Sequence, residues 1–164
     1  MSTVERTTTD LTTAPGWVVV PLRLYLGAAF LSAASNKVGT GNWGNWPMWM
    51  GQVIAGRLPE VTPLYRPFLT AVVAPHVTVF APLVALTEIA VGVALLLGGA
   101  TRLAATVGIL LTANYFLLDG MTVVDVSNDA AFIVGLTVLV FTAAGRVAGL
   151  DALLVRRWPR SRLW

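Results

Sequence analysis

Four runs of apolar residues, 17–38, 77–98, 101–118 and 130–150, alternate with segments of other character, and each approaches the ~20 helical residues that cross a hydrocarbon core. Backbone polar groups inside lipid must be satisfied within their own segment, so the runs are expected as helices. The pattern predicts an all-α integral membrane protein: an antiparallel four-helix transmembrane bundle with a long, partly helical outer loop between helices 1 and 2. Residues 1–16 are polar and Thr-rich and read as a flexible tail; 17–154 form the membrane domain; 155–164 form a basic tail. A cleaved signal peptide competes for the first run, because Ser32-Ala33-Ala34-Ser35 resembles a small-residue cleavage site. The barely basic tail before it, and Arg23 inside it, speak against cleavage.

The outer loop, 39–75, breaks the apolar pattern with glycines, prolines and the aromatic residues Trp43, Trp46, Trp49 and Tyr65. Trp and Tyr favour the bilayer–water interface, which predicts short interfacial helices near 47–56 and 64–73. A simple anchoring belt is the plainer reading. Basic residues orient the chain. Arg6, Arg102, Arg146, Arg156, Arg157, Arg160 and Arg162 fall on the side of the termini, whereas Lys37, Arg57 and Arg66 lie in or beside the long loop. The positive-inside bias then places both termini in the cytoplasm, in a multi-pass protein of the cytoplasmic membrane.

Composition narrows the chemistry. The chain is 56% hydrophobic and 12% charged, against about a quarter charged in soluble domains. It has no Cys and one His, which removes disulfides, cysteine-held Fe–S clusters, thiolate zinc and bis-histidine haem from this chain alone. No metal site is expected. The net charge of +3 and pI near 10.0 sit at the ends of apolar runs, so they report membrane topology and not nucleic-acid binding.

Ionisable groups inside the hydrocarbon are functional candidates by default. Arg23 and Glu88 stand out. At 1.5 Å per residue they lie ~9 Å and ~15 Å from the same end of antiparallel helices, a difference that long side chains could bridge. They are expected either as a buried ion pair pinning helix 1 to helix 2 or as a site around a protonatable Glu88. At the opposite end Lys37, His76, Asn114, Tyr115, Asp119, Asn128 and Asp129 converge at four helix ends, as a binding pocket or as ordinary rim capping. Asp125 and the other acidic-loop carboxylates are expected to be solvated. The spans' glycines, Gly27, Gly92, Gly108 and Gly135, suggest close helix packing.

Several stretches in order resemble the DoxX/DoxD family, in its DoxD-type branch. They are Leu22-Arg23-Leu24-Tyr25-Leu26-Gly27 through Ser35-Asn36-Lys37, Ala74-Pro75-His76 leading to Phe80-Ala81-Pro82-Leu83, and Glu88-Ile89-Ala90-Val91-Gly92. They continue with Leu95-Leu96-Leu97-Gly98, Thr101-Arg102-Leu103-Ala104-Ala105, Ser127-Asn128-Asp129-Ala130-Ala131 and Ala144-Gly145-Arg146. The resemblance implies a membrane subunit of a thiosulfate:quinone oxidoreductase, passing electrons from thiosulfate to quinone with formation of tetrathionate. Quinone reduction consumes protons, a role that suits Glu88, with Arg23 polarising a quinone oxygen or fixing the carboxylate. Lys37, Arg57, Arg66 and His76 are the cations available to a thiosulfate dianion, with Asn114 and Asp129 completing an outer pocket. Quinone is the expected cofactor. The expected partners are the lipid bilayer and a second redox subunit or soluble redox enzyme; a homo-oligomer is compatible with the same pattern. The alternatives are a non-catalytic membrane scaffold for a soluble redox enzyme and, with less support from the polar residues, a small transporter.

Overall fold

The computed structural model describes residues 16–39, 43–119, 123–142 and 144–158, with side chains omitted for 123–127. The tail expected over residues 1–15, the last part of the basic tail and the Asp125 carboxylate lie outside the described residues. The elements are α1 (Val20–Val38, entered through a 3-10 turn at Gly16–Val19), α2 (Trp46–Arg57) and α3 (Arg66–Phe68). They continue as α4 (Val77–Leu97), α5 (Thr101–Leu118), α6 (Val123–Phe141) and α7 (Asp151–Arg157). No strand occurs among the described residues.

Proline opens several of these helices. Pro21, Pro47 and Pro67 occupy first-turn positions, where the missing N–H has no partner to lose. From Arg66 the chain stays helical through a π turn at Leu69–Val73 and a 3-10 turn at Ala74–His76 into α4. Helix is present near 47–56, as α2, and near 64–73, where it is not a separate short helix but the continuous entry of α4. Three stretches, Gly16–Val38, Arg66–Leu97 and Thr101–Leu118, are long and apolar enough to cross a membrane among the described residues; Asn128–Phe141 is apolar but shorter.

The packing is antiparallel and sequential. Helix α1 lies against α4, α4 against α5, α5 against α6 and α6 against α1, while α2 covers α4 near its N-terminal end. The closest backbone approach is between α1 and α4. A Cβ on Gly27 would meet the Gly92 carbonyl oxygen at 3.0 Å, and a Cβ on Gly92 would meet that of Gly27 at 2.9 Å. Small residues at a membrane-helix crossing allow this contact. Between the helices Leu26, Phe30, Leu95, Leu136 and Leu139 are buried. Outward, Tyr25, Val79, Leu110 and Val134 are each more than 60% exposed, an apolar exterior suited to lipid.

The fourth run does not remain helical to residue 150. Helix α6 ends at Phe141, and the chain turns back through Ala144–Arg146 before α7. Ala148 adopts a left-handed φ of 50°, and a Cβ at Gly145 would collide with the Asp151 carboxylate and the Thr101 hydroxyl. The apolar content of this stretch serves a return loop in which Ala144 and Gly145 are buried and Leu150 is exposed, a use that hydropathy cannot separate from the end of a span.

Candidate functional site

Buried charge in this protein is organised in two clusters, one at each end of the helices. Long helical side chains lean toward the N-terminus of their own helix, because the Cα–Cβ bond tilts that way. In antiparallel neighbours that lean decides which charges meet. Arg23 in α1 leans toward the end where the chain's return loop lies. Glu88 in α4 leans the opposite way and is met by Lys37, whose side chain runs back along α1.

Arg23 is 2% exposed and donates to three backbone carbonyls of the return loop. Its Nη1 reaches Ala144 O at 2.7 Å and Val147 O at 3.2 Å, and its Nη2 reaches Ala148 O at 3.1 Å. Asp151, also buried, caps the start of α5: Oδ1 accepts from the Ala100 N–H at 2.6 Å and Oδ2 from the Thr101 N–H at 3.0 Å. Gly98, at φ +63°, closes α4 beside the guanidinium; a side chain there would strike Arg23 Nη1. This arrangement ties the C-terminal segment to the helix ends. It also means that the expected Arg23–Glu88 pair does not form: Arg23 directs its Nη1 and Nη2 donors to carbonyls, and the two residues lean apart.

Glu88 is 1% exposed and belongs to the other cluster. Lys37 Nζ contacts both of its carboxylate oxygens at 2.7 Å and also donates to Ala33 O at 3.3 Å. The Tyr115 hydroxyl of α5 donates to Glu88 Oε1 at 2.8 Å. Three helices therefore converge on one carboxylate. Helix α2 adds a lid: Trp46 donates its indole N–H to the Ala81 carbonyl at 2.8 Å, and Lys37 Nζ sits 5.2 Å from the Trp46 ring centre and 5.8 Å from that of Tyr115. Pro82, next in α4, lacks a backbone N–H, so the helix here makes fewer internal bonds. Trp46 stacks on Trp49 with ring centres 5.1 Å apart.

Beneath α2 lies a cavity of about 420 Å³. Its walls are apolar and aromatic, with Trp46, Trp49, Met50 and Ile54 from α2, Phe68 and Leu69 from the entry of α4, and Phe80, Val84 and Leu111 from the helices. Its polar groups are few. Lys37 and Tyr115 face it, Asn114 accepts a 2.6 Å hydrogen bond from the Tyr65 hydroxyl, and Arg57 pairs with Asp119. Burial pushes the Tyr65 phenol above its ordinary pKa and keeps it a donor. Glu88 does not line the cavity but supports the two groups that do. An apolar pocket with a few convergent polar groups is the usual form of a small-molecule site.

The other expected outer-pocket residues are dispersed. Asp129 lies close enough to Tyr115 to act on it electrostatically. His76 is exposed, its ring Nδ1 is 2.9 Å from Val72 O, and it does not line the cavity. Arg66 donates to Pro59 O and Val61 O, also outside the lining. Of the four cations, Lys37 and Arg57 line the cavity, while Arg66 and His76 are outside its lining. Trp46 and Tyr65 enter the site although the sequence marked them as belt residues; Tyr115 was among the polar groups expected to converge, and the lean of helical side chains was the usable signal for its contact with Glu88.

Neither a curated protein nor a solved structure matches the chain. A family model does, that of DoxD, described as "TQO small subunit DoxD", and it aligns with residues 18–163. That span takes in both charge clusters, the aromatic cavity and nearly the whole sequence. The chain belongs to the DoxD family.

Proposed function

We propose that this protein is the membrane subunit of a quinone-linked oxidoreductase of sulfur compounds, and that the aromatic cavity under α2 receives the quinone ring. The observation that carries the reading is the cavity itself: a 420 Å³ apolar space whose deep polar groups, Lys37 Nζ and Tyr115 Oη, are both held by one buried carboxylate. The residues fit a quinone. Trp and Phe faces suit a flat ring, and the Lys37 ammonium is a hydrogen-bond donor for a ring oxygen.

A bound quinone supplies the chemistry of accepting two electrons and two protons. The chain's part is to bind and orient. Glu88 fixes the positions of the Lys37 ammonium and the Tyr115 hydroxyl, and the ammonium placed against a ring oxygen favours negative charge developing there. Asn114 and Tyr65 close one wall, and α2 excludes water from the other. Arg23, in this reading, holds the bundle and the return loop together and does not act in the site.

Two further observations favour a subunit over a complete enzyme. The expected thiosulfate cations are already engaged, Lys37 with Glu88, Arg57 with Asp119, and Arg66 with backbone carbonyls. The family's description is also that of a small subunit. We therefore assign the sulfur-compound donor to a partner. In the same reading α6 completes a bundle of four membrane-crossing helices, with the termini on the cytoplasmic side of the cytoplasmic membrane.

The test is Glu88→Gln in membranes that contain the partner subunit. Thiosulfate-dependent reduction of a soluble quinone analogue is expected to fall to background while the protein remains folded in the membrane. Full turnover in that variant would contradict the assignment.

A further inference from the structure

A second cavity, of about 530 Å³, lies on the other side of the Lys37 and Trp46 wall. It is lined by Ala33, Asn36, Lys37, Asn45, Trp46 and Trp49. Its character differs from that of the inner cavity. Asn36 and Asn45 are exposed at the surface, so the space opens outward past carboxamides, whereas most of the inner cavity's wall is aliphatic and aromatic, with Arg57, Asn114 and Asp119 also in its lining. Lys37, Trp46 and Trp49 line both. Among these shared residues Lys37 alone has an ionisable side chain, and its side chain is 12% exposed.

We propose that the outer cavity is a water-filled proton inlet, and that Lys37 is the group that passes protons from it into the inner cavity. This inference rests on the quinone reading of the inner cavity and adds the route by which protons arrive. Lys37 Nζ is anchored to Glu88 and to Ala33 O, and its side chain lines both cavities. When Nζ gives a proton to the reduced ring oxygen held in the inner cavity, its N–H bond breaks as an O–H bond forms, and a neutral amine remains. That amine takes a proton from a hydronium ion in the outer cavity, releasing water. Two such cycles match the two protons that accompany two electrons drawn from a reduced sulfur compound. Asn36 and Asn45 line the mouth and keep it hydrated.

Because the native sequence has no cysteine, single cysteines report access cleanly. The full-length protein in native membranes would carry Ala33→Cys in the outer cavity or Val84→Cys in the inner one, and each would be treated with a charged, membrane-impermeant methanethiosulfonate reagent and with N-ethylmaleimide. We expect the charged reagent to modify Ala33→Cys rapidly and Val84→Cys at least 10-fold more slowly. Decyl-ubiquinone should protect Val84→Cys from N-ethylmaleimide without protecting Ala33→Cys. Modification of Ala33→Cys should then lower partner-supported turnover at least 10-fold while that protection by quinone is retained in the doubly substituted protein. Failure of the charged reagent to reach Ala33→Cys, or full turnover after complete modification, overturns the inlet. Failure of decyl-ubiquinone to protect Val84→Cys overturns the quinone reading instead. Should Ala33→Cys fail to fold, Asn45→Cys takes its place with the same expected outcomes.

Discussion

Lys37 near the end of α1 and Glu88 in the middle of α4 form a two-oxygen ion pair at 2.7 Å, 51 residues apart in sequence and largely shielded from solvent. Such a pair fixes the register of two antiparallel helices at a point where neither can slide without stranding a charge. Removing one partner of a buried pair costs about 3–5 kcal/mol, because the other remains uncompensated, whereas replacing both with apolar groups is close to neutral. Lys37→Met should therefore lower thermal stability in detergent sharply, and Lys37→Met combined with Glu88→Leu should recover most of it. Additive losses in the double variant would show that the two charges are not coupled.

Arg23 offers the opposite expectation. It compensates carbonyls, and each buried acceptor left without a partner costs about 1–3 kcal/mol. Arg23→Met is expected to loosen the return loop and α7, exposing the chain around residues 144–150 to limited proteolysis. Quinone binding should change little, since the guanidinium lies in the other cluster. A selective loss of quinone binding with an intact protease pattern would place Arg23 in the site.

The α1–α4 crossing depends on Gly27 and Gly92. A Cβ at Gly92 would come within 2.8 Å of the Leu31 side chain and 2.9 Å of the Gly27 carbonyl oxygen. Gly92→Ala should thus force the helices apart and destabilise the fold by about 1–3 kcal/mol, the usual range for overpacking. Gly51→Ala in α2 has nothing within 4 Å of its new methyl group and serves as the control. Equal melting temperatures for the two variants would contradict the crossing geometry.

Tyr65 gives a pH-dependent expectation. Its phenol is raised above the ordinary value by burial, so the folded protein binds that proton more tightly than the unfolded chain does. The resulting stability is present below pH ~10 and is lost as pH rises through the folded-state value. Tyr65→Phe should show a shallower alkaline loss of stability than the native protein, together with about 1 kcal/mol lost at neutral pH with the Asn114 hydrogen bond. Superimposable alkaline profiles would contradict it.

The helices were legible in the sequence because the apolar runs are long: residues 101–118 were bounded as α5 is, and the starts of α1 and α4 were close. Helix in the aromatic segment was legible near 47–56 and 64–73, and prolines at 47 and 67 sit where helices begin. Two things were not legible. The first was the end of the fourth run, where Ala, Val and Gly in 142–150 look the same whether they cross lipid or line a buried turn. The second was the pairing of the charges. Counting rise along the axis put Arg23 and Glu88 within reach, but rise ignores direction, and opposite lean separates them while bringing Lys37 down to Glu88. Tyr115 follows the same rule from α5.

The central claim is that the cavity between α2 and the helix ends binds a quinone ring beside Lys37 and Tyr115. A photoreactive azidoquinone, cross-linked to the protein in native membranes and mapped by mass spectrometry, tests it most directly. The account predicts adducts on the α2 segment around Trp46–Ile54 and on α5 around Leu111–Tyr115, both suppressed by excess decyl-ubiquinone. Adducts confined to lipid-facing positions such as Val79, Leu110 and Val134, unaffected by that competitor, would contradict it.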